Sequence, residues 1–358
     1  MITEINQVDS NLKRIEEIPD TFFKEVPNYS IFGYELLPDW FKDKYGNRQD
    51  GLYKKAKLFF IEIKKSKKEE DIIAGYTNSK NISEHCKDVN STLFYCEKID
   101  PNLFDTAKNF FIALYSSLDS DWLNKCTETK VLEYLKSFKR INRLHICPVC
   151  HNEPFKSNKY ENRGALDHWL CKSKYPLTSV HFNNLIPLGD GCNCSKVKGE
   201  KEIIWTDDKR SKRQSFMHPY SWNGELEISL ICLREPTPKV DDFGDWKFNF
   251  KGQDANHQDL IDKWNNFFKI SDRWIEETLI PFIENWTGLF YDYILAEEII
   301  DIDNDYDQAL KSFKNSIIGF YLIPYARVHW FFLDFIINKA SVSLYDSYKT
   351  ELMKLSTL

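Results

Sequence analysis

The sequence predicts an α+β chain that is mainly α, with helical N-terminal and C-terminal regions flanking a small cysteine-rich module. Three observations carry that expectation. Apolar residues recur at helical spacing over 51–71, 105–117 and 121–138, and again from residue 258 to the end. Only 226–233 and 246–250 alternate as half-buried strands do. Five of the nine cysteines (Cys147, Cys150, Cys171, Cys192, Cys194) crowd into one short stretch, whereas a disulfide framework would spread them.

At 358 residues the chain has room for two or three domains of about 100–200 residues each. The expected boundaries are 1–140 for a helical N-terminal domain, 141–222 for the module, 223–255 for a β-hairpin and linker, and 256–358 for a helical C-terminal domain. Residues 1–45 mix Pro19, Pro27 and Pro38 with Phe22, Phe23, Trp40 and Phe41, and are expected to wrap the domain that follows. In 51–71, Tyr53, Ala56, Phe59, Phe60 and Ile63 define one apolar face; the intervening lysines read as its solvated side. Asp105 and Asp121 are the expected N-caps of the next two helices. Lys136, Lys139, Arg140 and Arg143 then lead into the first cysteine pair, where they are better placed to touch a phosphate backbone than the earlier lysines. Beyond the module, the loop between the two alternating stretches holds Pro236, Pro238 and Gly244. Leu260, Trp264, Phe267, Phe268, Trp274, Leu279 and Ile280 begin an aromatic helical bundle.

A composition of 42% hydrophobic and 28% charged residues belongs to an ordered globular protein. The net charge of −6 argues against coating nucleic acid through overall charge, so a DNA contact needs a local basic patch. Lys196, Lys198, Lys201, Lys209, Arg210, Lys212 and Arg213 supply one. Clustered cysteines suit a metal site in a reducing compartment. No charged leader with an apolar run opens the chain, and no apolar stretch reaches the roughly 20 residues of a membrane span, so a cytoplasmic location without membrane partners is expected.

The module reads Cys147-Pro148-Val149-Cys150, then Asp167-His168, then Asn183-Asn184-Leu185, then Cys192-Asn193-Cys194 with Lys196 and Lys198-Gly199 behind it. That order resembles the HNH (ββα-metal) endonuclease superfamily of the zinc-braced type. With His218-Pro219-Tyr220 downstream, it resembles the HNH nucleases of bacterial anti-phage defence systems, Septu-type and retron-linked ones included. The resemblance covers 143 to 222, with a weaker echo from Trp264 to Trp274.

It implies a ββα-metal module whose catalytic group is His168, Asp167, Asn193 and Asn184. His168 would be the general base, and Asp167 an oxygen ligand to Mg²⁺ or Mn²⁺, because successive strand residues face opposite sides. Asn193 would be the second ligand to that ion; an alternative register places Ser195 there. Asn184, or Asn183, would brace the loop through side-chain to backbone hydrogen bonds. Cys147, Cys150, Cys192 and Cys194 would hold structural Zn²⁺. The family's second cysteine pair is incomplete here, with Gly189 where its first cysteine is expected; Cys171 or His151 could stand in, or the site could have lost its zinc. Arg163, Lys196 and Lys198 are the candidate phosphate contacts, set against a reading as solvated charges. His181 and His218 read as packed or hydrogen-bonded histidines in preference to substrate contacts. The implied activity is nicking or cutting of DNA with one divalent ion, in an anti-phage effector working with an ATPase or sensor subunit. Two alternatives stand beside it: a non-catalytic zinc-stapled subunit that binds protein or nucleic acid, and an RNA-cleaving toxin.

Overall fold

The computed structural model describes residues 5–45, 51–94, 100–155, 165–238, 242–299, 301–318 and 324–355. The fold is α+β and mainly α, as expected, with two small two-stranded sheets among the described residues. Helices α1 (Glu17–Glu25), α2 (Asp39–Tyr45), α3 (Gly51–Ser66), α4 (Glu69–Ser79), α5 (Ile82–Lys87), α6 (Pro101–Ser116), α7 (Asp121–Thr127) and α8 (Val131–Asn142) come first. Strands β1 (Ala165–His168) and β2 (Leu185–Leu188) follow, then the single turn α9 (Asp190–Asn193). The remainder is β3 (Leu226–Arg234), β4 (Asp245–Gly252), α10 (Ala255–Phe268), α11 (Ile270–Trp274), α12 (Ile280–Ala296), α13 (Ile302–Ile318), α14 (Ala326–Asn338) and α15 (Val342–Leu355). No helix among the described residues is long and apolar enough to cross a membrane.

Helix ends differ from the expectation for local reasons. The pattern over 51–71 is two helices, α3 and α4, because Lys67 takes a left-handed φ of 54° between them. Asp105 is not an N-cap; α6 starts earlier, where Asp100 accepts from the Asn102 and Leu103 amides and Pro101 fills the first turn without needing a donor. Asp121 is not a cap either, since the Ser120 hydroxyl accepts from Leu123. The following stretch breaks at Glu128, φ 52°, into α7 and α8.

The chain packs as two compact units, Thr3–Leu144 with Lys156–Asn223, and His145–Phe155 with Gly224–Leu358. This departs from the four expected segments. In the first unit α3 packs on α6, and Phe22, Phe59, Phe110 and Phe111 form an aromatic core, with Phe22 and Phe59 stacked at 5.6 Å. In the second, β3 and β4 pair antiparallel as the alternation indicated. They are not a linker, because Trp246, Phe248 and Phe250 on one face of β4 are buried. Phe248 meets Trp274 edge-on at 5.0 Å, and Phe250 meets Trp264 at 5.4 Å.

The 145–155 loop belongs to this second unit for an equally local reason. Trp264 Nε1 donates to the Val149 carbonyl at 3.0 Å, and Trp274 Nε1 to that of Cys150 at 2.9 Å. Asn152 Nδ2 donates to Thr278 Oγ1 at 2.6 Å; Thr278 sits in a wide π turn, Ile275–Leu279, between α11 and α12.

Candidate active site and metal centre

The expected hairpin forms: β1 and β2 are antiparallel with Asp167 opposite Ile186 and His168 opposite Leu185. Their long connection folds back on its own base. Asn184, fully buried, organises it by accepting from the Leu170 amide at 2.7 Å. Its Nδ2 donates to the Leu170 carbonyl at 3.0 Å and to Thr178 Oγ1 at 2.9 Å. Asn184 is thus a loop brace, through the side-chain to backbone bonds expected of it, while Asn183 is exposed.

This bracing brings the Ser179 carbonyl to His168, whose Nε2 donates to it at 2.9 Å. A carbonyl only accepts, so in the neutral ring Nε2 carries the proton and Nδ1 the free lone pair. Nδ1 takes no hydrogen bond from a described residue. His168 is only 4% exposed. Burial, then the nearby Lys172 and Lys198 ammonium groups, hold its proton affinity well below the ordinary histidine value; the Ser179 carbonyl opposes them. The imidazole is therefore neutral at neutral pH, the state a general base requires.

Asp167 points the other way along the strand. The Asn193 amide NH₂ donates to both of its carboxylate oxygens, at 2.9 and 3.3 Å. In the opposite orientation the amide oxygen would lie beside the carboxylate. The donor set is all oxygen, which suits Mg²⁺ or Mn²⁺. Asn193, the final residue of α9, is the one at Asp167, whereas Ser195 is exposed in the turns beyond it. The helix of the module is this one turn.

Lys198 corrects an expectation. It is 1% exposed and not a surface phosphate clamp, because its Nζ donates to the His168 carbonyl at 2.6 Å and pairs with Asp167 Oδ2 at 2.5 Å. Gly199 makes the inward turn possible: at its φ of 46° a Cβ would lie 2.9 Å from the Ser195 Cα. Lys196 is exposed, as a surface contact must be. Arg163 lies outside the described residues. Much of the basic patch is engaged internally, Arg210 by Glu202, Arg213 by the Ile204, His85 and Asp88 carbonyls, and Lys201 by those of Lys196 and Val197. His218 donates from Nε2 to the Asn183 carbonyl at 2.9 Å and His181 lies 3.7 Å from Glu16, both buried.

Cys147, Cys150 and Glu153, all in the second unit, can hold a metal ion such as zinc, their ligand atoms within 4.8 Å of one another. Zn–S bonds of about 2.3 Å separate tetrahedral ligands by roughly 3.8 Å, so the donors fit with small adjustments. Glu153 belongs to this group, and Cys194, exposed, does not. Cys171 is no substitute, as its Sγ lies 3.0 Å from Ser173 Oγ, and His151 is outside the group. Glu153 arrives because the loop closes on itself: the Cys147 amide donates to the Glu153 carbonyl, and the His151 amide to that of Cys147, both at 2.9 Å. Glu153 Oε1 then sits 3.5 Å from Cys150 Sγ.

Two residues near His168 had no signal in the sequence. Tyr115, on α6, donates from its hydroxyl to the Leu166 carbonyl at 2.7 Å and lays its ring 4.3 Å from the imidazole. Lys172 holds its Nζ 4.3 Å from the same tyrosine ring.

No protein-family model, curated protein or solved structure matches this chain.

Proposed function

We propose that the chain is a metal-dependent HNH endonuclease that hydrolyses DNA phosphodiester bonds. One observation carries this reading. On a single short hairpin, a neutral histidine has its Nε2 proton fixed on a carbonyl and its Nδ1 without a hydrogen bond from a described residue, while the preceding aspartate meets the side chain of Asn193.

In the reaction, His168 Nδ1 takes a proton from water as the water oxygen bonds to phosphorus. The P–O3′ bond breaks and O3′ acquires a proton from solvent, leaving a 5′-phosphate and a 3′-hydroxyl. Asp167 and Asn193 would hold a divalent ion, which would supply positive charge for the pentacovalent phosphorus and the departing oxygen. Ser179 holds the base's tautomer, and Asn184 holds the loop that carries Ser179. Zinc is the ion we assign to the thiolate group, where it fixes the Cys147–Cys150 turn. The resemblance supports a setting in anti-phage defence, with an ATPase or sensor subunit as partner.

A second reading, a non-catalytic module, is favoured by the Lys198–Asp167 pair, which already neutralises the carboxylate. Purified protein incubated with supercoiled plasmid in Mg²⁺, Mn²⁺ or EDTA separates the two. The nuclease gives metal-dependent nicking that is lost in His168→Ala. Nicking that survives this substitution removes His168 as the base. Failure to bind Mn²⁺ at all, measured by titration calorimetry against Asp167→Ala, favours the non-catalytic module.

A further inference from the structure

Among the described residues, every lysine or arginine of the module singled out above has a partner inside the protein or stands on open surface, with one exception. Lys198 is held by Asp167, Arg210 by Glu202, and Lys174 by Asp208 at 2.6 Å. Lys172 is different. It lies half-buried, four residues beyond the base, and forms no ion pair or hydrogen bond with a described residue. Its one recorded contact is with the face of Tyr115, 4.3 Å from the ring centroid.

Tyr115 is itself fixed to β1 by its hydroxyl bond to the Leu166 carbonyl, and its ring lies against His168. An ammonium resting on an aromatic face keeps a weak attraction but lacks the counter-charge that partial burial demands. An anion arriving at His168 would supply that charge. In a site that presents a water-activating imidazole, the arriving anion is the phosphate to be cut.

We propose that Lys172 is a catalytic residue that binds the scissile phosphate, seated for that task on the ring of Tyr115. The inference rests on the nuclease reading of the same site. It moves the phosphate contact from Lys198, which faces inward, to a residue on the β1–β2 connection. Lys172 places positive charge on a non-bridging phosphate oxygen, and Tyr115 positions it.

The test compares wild type with Lys172→Met, Lys172→Arg and Tyr115→Phe. Plasmid nicking in Mn²⁺ is measured first. Lys172→Met is expected to lower kcat by about 100-fold with little change in KM, a loss typical of one transition-state cation. Lys172→Arg should recover much of it, and Tyr115→Phe, which keeps the ring, should fall only a few-fold. Binding of a short fluorescein-labelled DNA duplex is then followed by anisotropy across salt concentrations, in a His168→Ala background. Loss of one phosphate contact lowers the slope of log affinity against log salt by about 0.9, a change that a merely structural lysine does not produce. If wild type nicks and Lys172→Met nicks equally well, the proposal fails and the nuclease reading stands. If no chain nicks, the salt slope decides: a slope lowered by Lys172→Met supports the phosphate contact, and an unchanged slope overturns it. A protein that neither nicks nor binds the duplex overturns both.

Discussion

Replacing Asn184 with alanine tests the architecture of the site independently of any activity. The side chain is fully buried and bonds both main-chain groups of Leu170, a residue itself only 1% exposed, as well as the Thr178 hydroxyl. Alanine leaves the Leu170 amide and carbonyl without those partners in a dry interior. Each orphaned group costs about 1–3 kcal/mol, so the expected loss is roughly 4 kcal/mol, a large part of the ~5–15 kcal/mol stability of a typical domain. Asn184→Asp should be at least as harmful, because it turns a carboxylate oxygen towards the Leu170 and Thr178 carbonyls. Asn183→Ala, one residue earlier and exposed, should stay within ~0.5 kcal/mol of wild type. Urea unfolding followed by tryptophan fluorescence reads all three, and Trp169 on the braced loop is a reporter close to the change. A loss below about 1 kcal/mol for Asn184→Ala would refute the brace and, with it, the account of how Ser179 reaches His168.

Two further outcomes follow from the same geometry. Elemental analysis of purified protein should find one zinc per chain in wild type and Cys194→Ser, and little in Cys147→Ser, Cys192→Ser or Glu153→Ala; equal loss in Cys194→Ser would return the fourth ligand to Cys194. His218, buried and with Nδ1 lacking a partner among the described residues, has its pKa lowered from 6.5 to about 4 by burial, opposed by its bond to the Asn183 carbonyl. The unfolded chain therefore binds this proton first on acidification. The stability is fully present above pH 6.5 and declines as pH falls towards 4, by ~3 kcal/mol at most. His218→Gln should flatten that decline between pH 7 and 4 in denaturant titrations, and an unaltered slope would show that other groups cause it.

The features legible in the sequence were those written in periodicity or in short motifs. Alternation in β3 and β4 and the apolar stripes of α3, α6 and α10 reflect which faces must leave water, and they placed the elements to within a few residues. The Asn184 brace was legible because its bonds to Leu170 and Thr178 close a single loop. The misses at the site are long-range or conformational. Nothing in the spacing of Cys147 and Cys150 marks Glu153 as a donor, since it reaches the thiols through a loop closed by main-chain bonds. Tyr115 meets His168 from across α6, a contact with no local trace. Lys198 reads as one more solvated lysine until Gly199 turns the backbone and swings it inward.

The cysteine turn at 147–150 is held by the indole nitrogens of Trp264 and Trp274, more than a hundred residues further along the chain. A fragment cut at the limits of the sequence motifs, 141–222, would retain the thiols of that turn and lose both hooks on which its backbone hangs. The boundaries of the chemistry and of what can be dissected are thus different. An excised module that shows no activity would say little about the intact chain. The shortest piece worth isolating must run through α10, α11 and the π turn that presents Thr278.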